Sequence, residues 1–111
     1  MLETQVSATQ PVAQRLQVLA QLYQQGQVTV LMDRTLRKLL TYEADVCRMH
    51  LAQLQADMTV FEQQYAFSSA EFYQRFQSGQ TDDRMDYVEW ASLVQMAHNL
   101  RERLRLLTSE S

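Results

Sequence analysis

Few residues in this chain could do chemistry. Cys47 and His50 stand at i and i+3, on one face of any helix that holds them, a spacing two ligands of one metal ion can share. A zinc-type site needs three or four ligands, and none completes it nearby; His98 is the only other histidine. A packed thiol and two rim imidazoles are therefore expected, with no metal and no other cofactor. Asp82, Asp83, Asp86 and Glu89 form the densest run of acid. Paired-carboxylate catalysis needs a concave, partly desolvated pocket, which a thin helical protein does not offer. Two uses remain. The acids can match the dipole at a helix start, or form a docking patch for a basic partner, since four carboxylates exceed what a cap needs. Arg34, Arg37 and Lys38, with Arg48 further on, are the one basic cluster, diluted by Asp33, Glu43 and Asp45. Without interleaved aromatics or a recognition element, a solvated helix face is favoured over a nucleic-acid contact. No constellation of nucleophile, base and orienting group assembles, so an enzyme is the least favoured class.

Aromatic rings are the other candidates. Eight of the ten lie between Phe61 and Trp90: Phe61, Tyr65, Phe67, Phe72, Tyr73, Phe76, Tyr87 and Trp90. Rings carry the largest apolar area per residue, so this stretch is either the tightest core or the hottest interface.

The elements that must position these residues are helices. Two glycines and one proline leave little turn material, and Gln, Leu, Ala, Arg and Glu dominate. The expected fold is all-α: one domain over 10–107, with flexible ends at 1–9 and 108–111. Its four helices fall at about 10–25, 29–66, 69–78 and 83–107. Pro11 suits a first turn, Val12, Leu16, Leu19 and Tyr23 make one apolar stripe, and Gly26 follows as a C′ stop. Thr29 can cap the second helix, which meets no glycine or proline before Ser68 and could reach roughly 55 Å. Cys47, Leu51, Leu54, Met58, Phe61 and Tyr65 alternate at 4 and 3, a coiled-coil-type seam. Ser68 and Glu71 read as a capping box, with Phe67 stapled onto Phe72, and Gly79 as the stop. Asp82 or Asp83 can cap the fourth helix, whose Trp90, Leu93, Ala97, Leu100, Leu104 and Leu107 repeat the seam spacing. The natural arrangement is a long helical hairpin, the fourth helix antiparallel to residues 47–66, the third at the corner and the first folded back on the start of the second. Seams this long leave a side open, so a homodimer or a partner helix is expected.

The net charge of −3 does not favour non-specific duplex binding, and no apolar run approaches a membrane span. The lone Cys47 fits a reducing compartment, and the first residues carry no signal-peptide pattern, so a cytoplasmic protein is expected.

The second half resembles small helical proteins of cyanobacteria and other prokaryotes, antitoxin-like partners in toxin–antitoxin modules. The resemblance rests on Phe61, Glu62 and Tyr65, then Ser68, Ser69, Glu71, Phe72, Tyr73 and Phe76, then Gly79, Asp82, Asp86, Glu89 and Trp90. Ala66 stands where that pattern has glycine, which makes the turn before Ser68 tighter or more helical. The resemblance implies a protein that neutralises a cognate toxin by contact. On that view Phe72, Tyr73, Phe76 and Trp90 anchor, and Asp82, Asp83, Asp86 and Glu89 pair with a basic toxin surface. The alternative is a structural adaptor, a helical-hairpin homodimer within a larger complex.

Overall fold

A computed structural model describes residues 10–109. Four helices account for nearly all of them: α1 (Gln10–Gln24), α2 (Val30–Tyr65), α3 (Ser69–Gln77) and α4 (Met85–Thr108). No strand occurs among the described residues. Of the segments expected to be flexible, 1–9 and 110–111 lie outside them, while Thr108 is the last residue of α4 and Ser109 its C-cap. Contacts group the chain into two compact units that meet in sequence at Leu40 and Thr41, and α2 contributes to both.

Local chemistry sets the helix ends. Gly26 takes φ +68°, and Gln27 N–H donates to the Leu22 carbonyl while Gly26 N–H donates to that of Tyr23. That pairing is a Schellman stop, in which the left-handed residue carries no Cβ penalty. Gly79 repeats it at φ +77°, with Gln80 N–H on Arg75 and Gly79 N–H on Phe76. Thr29 caps α2 as expected, its Oγ1 accepting from Met32 N–H at 3.1 Å. Between α2 and α3, Ala66 stands at φ +60°. The turn is thus neither tighter nor more helical than a glycine would make it. Alanine adopts the left-handed conformation itself, at the cost of a Cβ clash.

The unit before Leu40 holds α1 and the first turns of α2. The stripe Val12, Leu16, Leu19 and Tyr23 forms on one side of α1, but no α1 residue is buried. The Tyr23 hydroxyl donates to Asp33 Oδ1 at 3.1 Å, and Arg37 Nε donates to Asp33 Oδ2 at 2.8 Å. Of this stripe only Leu19 is half-buried, and Tyr23 ties α1 to α2 through Asp33.

The unit from Thr41 onward is the hairpin. Three cross-pairs fix its antiparallel register: Arg103 with Glu43 at 2.9 Å, Phe61 with Trp90, and Tyr65 with Asp86. Cys47, Met58 and Phe61 on α2 are buried with Trp90, Leu93, Ala97 and Leu100 on α4, while Leu51, Leu54 and Tyr65 are half-buried between them. Those are the two seams read from the 3–4 spacing.

Candidate interaction surface

At the corner, α3 is too short to stand alone and is held by three devices. Ser68 Oγ accepts from Glu71 N–H at 3.1 Å. The returning half of the expected capping box is absent: the Glu71 carboxylate turns to Arg75 at 3.1 Å, and Glu62 Oε2 accepts from Ser69 N–H at 2.8 Å. Phe67 packs on the cluster that contains Phe72 and carries the Arg75 guanidinium over its ring at 4.8 Å.

Trp90 is the centre of the corner. Its ring lies parallel to Phe72 at 3.9 Å and stacks on Phe61 at 5.7 Å, and its indole N–H donates to Ser69 Oγ at 2.9 Å. Trp90 and Phe72 are 0% and 1% exposed. Both were expected as partner anchors. They are core residues, because a short helix across two seams has only one side to bury, and the largest rings fill it.

The carboxylates are also divided. Asp86 is the one acid in the first turn of α4, and its Oδ2 accepts from the Tyr65 hydroxyl at 2.6 Å. That bond to a carboxylate, with some burial, raises the phenol's pKa. Asp82 does not cap α4. Its Oδ1 accepts from Arg84 N–H at 3.1 Å and Arg84 Nε at 2.9 Å, and its Oδ2 from Arg84 Nη2 at 2.7 Å. The side-chain bonds to Arg84, then the backbone bond, lower the Asp82 carboxyl to about 2. Arg84 is the N-cap residue and makes no side-chain cap; it lies over the rings of Tyr87 at 4.6 Å and Tyr65 at 5.6 Å. Asp83 and Glu89 are exposed.

Tyr73 and Phe76 take a different place. They are half-buried and, with Gln77, Val88, Ala91, Ser92 and Gln95, line an open groove of about 500 Å³ between α3 and α4. Ala91 is its buried floor. The Tyr73 hydroxyl donates to Gln95 Oε1 at 2.8 Å, and Gln95 Nε2 donates to Asn99 Oδ1 at 3.2 Å, a polar edge beside the apolar Phe76, Val88 and Ala91. None of the four carboxylates lines it. The structure therefore brings together Tyr73 and Phe76, buries Phe72 and Trp90, and places Asp82, Asp83, Asp86 and Glu89 elsewhere. The α4 wall was not anticipated, although Val88, Ala91, Ser92 and Gln95 stand at i, i+3, i+4 and i+7, the spacing of one helix face. A groove of this form has room for a side chain or the edge of a helix.

Among the described residues no group of three or more His, Cys, Asp and Glu comes together as metal ligands. Cys47 is buried, and the half-buried His50 keeps its Nδ1 enclosed without a hydrogen bond. In the basic cluster Arg37 pairs with Asp33 and Arg48 with Asp45. No described helix is long and apolar enough to cross a membrane. No protein-family model, curated protein or solved structure matches this chain.

Proposed function

We propose that this chain is a non-enzymatic binding protein, antitoxin-like in that it neutralises a cognate protein by direct contact, and that the α3–α4 groove is its docking site. The observation that carries this reading is the groove itself: Tyr73 and Phe76 are held by the core yet open to solvent beside Val88. Rings fixed in position lose little conformational entropy when a partner arrives, which is why such residues dominate binding energy. Asp83 and Glu89 add exposed negative charge to the same unit, suited to a partner with a basic surface. A toxin that cleaves RNA carries such a surface for its phosphates.

The test is co-expression with the product of the adjacent gene. Val88→Arg and Ser92→Arg fill the groove from exposed positions without touching the core. Each is expected to abolish co-purification and protection of growth, while Met85→Arg, on an exposed position outside the groove lining, retains both. Retention of both by the groove variants would remove the groove from the account.

The adaptor reading, a hairpin homodimer that scaffolds a larger complex, is favoured by a separate observation. Met49, on α2, is 71% exposed among other uncovered apolar side chains. Purification of a larger assembly containing two copies would support it.

A further inference from the structure

Charge and burial divide where the two compact units divide. Residues 10–40 hold four cations (Arg15, Arg34, Arg37 and Lys38) against one carboxylate (Asp33), a formal +3. Residues 41–109 hold six arginines against ten carboxylates, a formal −4. Arg48, Arg75, Arg84, Arg103 and Arg105 each meet a carboxylate of their own unit. Arg15, Arg34 and Lys38 have no ion pair among the described residues. Burial follows the same line. Every buried residue lies at Ala44 or beyond, so residues 10–40 carry apolar surface without a core, and Val30 and Leu31 are 73% and 71% exposed. Helices of this length owe most of their stability to a covered apolar face.

Leu31, Arg34 and Lys38 stand at i, i+3 and i+7 on α2, with Val30 one turn before Arg34, so they share one face. What covers it must be apolar with acid beside it. The same face of another copy would set cation on cation, a costly juxtaposition. The start of α4 has the required composition. Met85 is 80% exposed and one turn before Glu89, and Asp83 stands just ahead of the helix. Asp83 and Glu89 are exposed and have no ion pair among the described residues.

We infer that the chain self-associates head to tail: the basic first turns of α2 in one copy seat on the acidic start of α4 in a second. Val30 and Leu31 cover Met85, and Arg34 and Lys38 face Asp83 and Glu89. The contact joins two different surfaces, so each copy keeps one of each to offer the next. Exposed ion pairs are individually weak and screened by salt, which makes the association modest and salt-sensitive. This inference deepens the adaptor reading, on whose self-association it rests, but not on the larger complex. Copies that associate and join nothing larger remove the adaptor role and leave the contact.

Sedimentation velocity tests it, with circular dichroism to verify that each variant stays helical. The wild type is expected to show an average mass that rises with concentration, and association at least about tenfold weaker at about 300 mM salt than at about 20 mM. Arg34→Gln with Lys38→Gln, and separately Asp83→Asn with Glu89→Gln, are each expected to raise the dissociation constant at least about tenfold. Mixed, the two variants restore a single intact contact, so a one-to-one complex within about threefold of the wild-type affinity is expected. Arg101→Gln, at an exposed position outside the contact, is expected to change association by less than about twofold. A wild type still monomeric at about 200 µM in low salt would overturn the inference and leave the basic face to an acidic helix of another protein. Association indifferent to either pair of changes, or a mixture that forms no complex, would overturn it as well. Met85→Arg separates this contact from the groove: it is expected to weaken self-association and to keep the co-purified partner. Self-association unmoved by Met85→Arg would count against this contact, and a lost partner against the groove.

Discussion

Trp90 joins the three helices of the hairpin unit through its rings and one hydrogen bond. Its truncation removes the stacks on Phe72 and Phe61 together, so Trp90→Ala is expected to cost about 3–5 kcal/mol. Ser69→Ala leaves the indole N–H in the core without its acceptor, and about 1–3 kcal/mol is expected. Urea unfolding followed by far-UV dichroism measures both, and a Ser69→Ala variant as stable as wild type would show that the indole bond contributes nothing. Asp82 offers a titration. Its carboxyl is lowered to about 2 by Arg84, so the folded state binds its proton less readily than the unfolded chain. The contribution of the pair is therefore present above about pH 4 and lost as pH falls towards 2. Arg84→Ala is expected to return Asp82 to the ordinary carboxylate range, read from its carboxyl carbon shift by NMR. An unmoved titration would show that the pair does not form in solution. The roles of these two residues were unequally legible in the sequence. That Trp90 matters followed from its place in a 3–4 seam, but periodicity does not say whether a ring faces its own chain or another. The cap expected from Asp82 or Asp83 does not form: Arg84 holds the N-cap position and takes the Asp82 carboxylate, a competitor that capping rules do not weigh.

At the scale of elements, the stops and starts were the most legible. Gly26 and Gly79 end helices through backbone geometry that belongs to glycine alone, and Thr29 and Ser68 act on amides three residues away. Ala66 is the exception that tests the rule. Its φ of +60° costs an alanine about 1–2 kcal/mol. Glycine removes that clash but loses about 0.4–1 kcal/mol through the freer unfolded chain. Ala66→Gly is therefore expected to stabilise the hairpin by up to about 1 kcal/mol, seen as a higher urea midpoint at unchanged slope. A clear destabilisation would mean that the residue is not left-handed in solution. What could not be read was the outer side of α2: one apolar repeat explains the helix, and that Tyr42, Met49 and Val60 stay uncovered is seen only in the structure.

For the whole molecule, the long aromatic stretch resolves into a core and a surface beside it. Phe61, Phe72 and Trp90 hold α3 against the hairpin, and Tyr73 and Phe76 owe their fixed positions to that core while facing the groove. The proposed docking role rests on this division: Tyr73 and Phe76 are held beside the core and open onto a groove with a Tyr73–Gln95 polar edge. The most direct measurement is chemical-shift mapping of the labelled protein as the neighbouring gene's product is added. Perturbations are expected to concentrate at Tyr73, Phe76, Val88, Ser92 and Gln95, with the Trp90 indole signal retained in its core environment. Shifts confined to other surfaces, or a Trp90 indole released to solvent in the complex, would contradict the account.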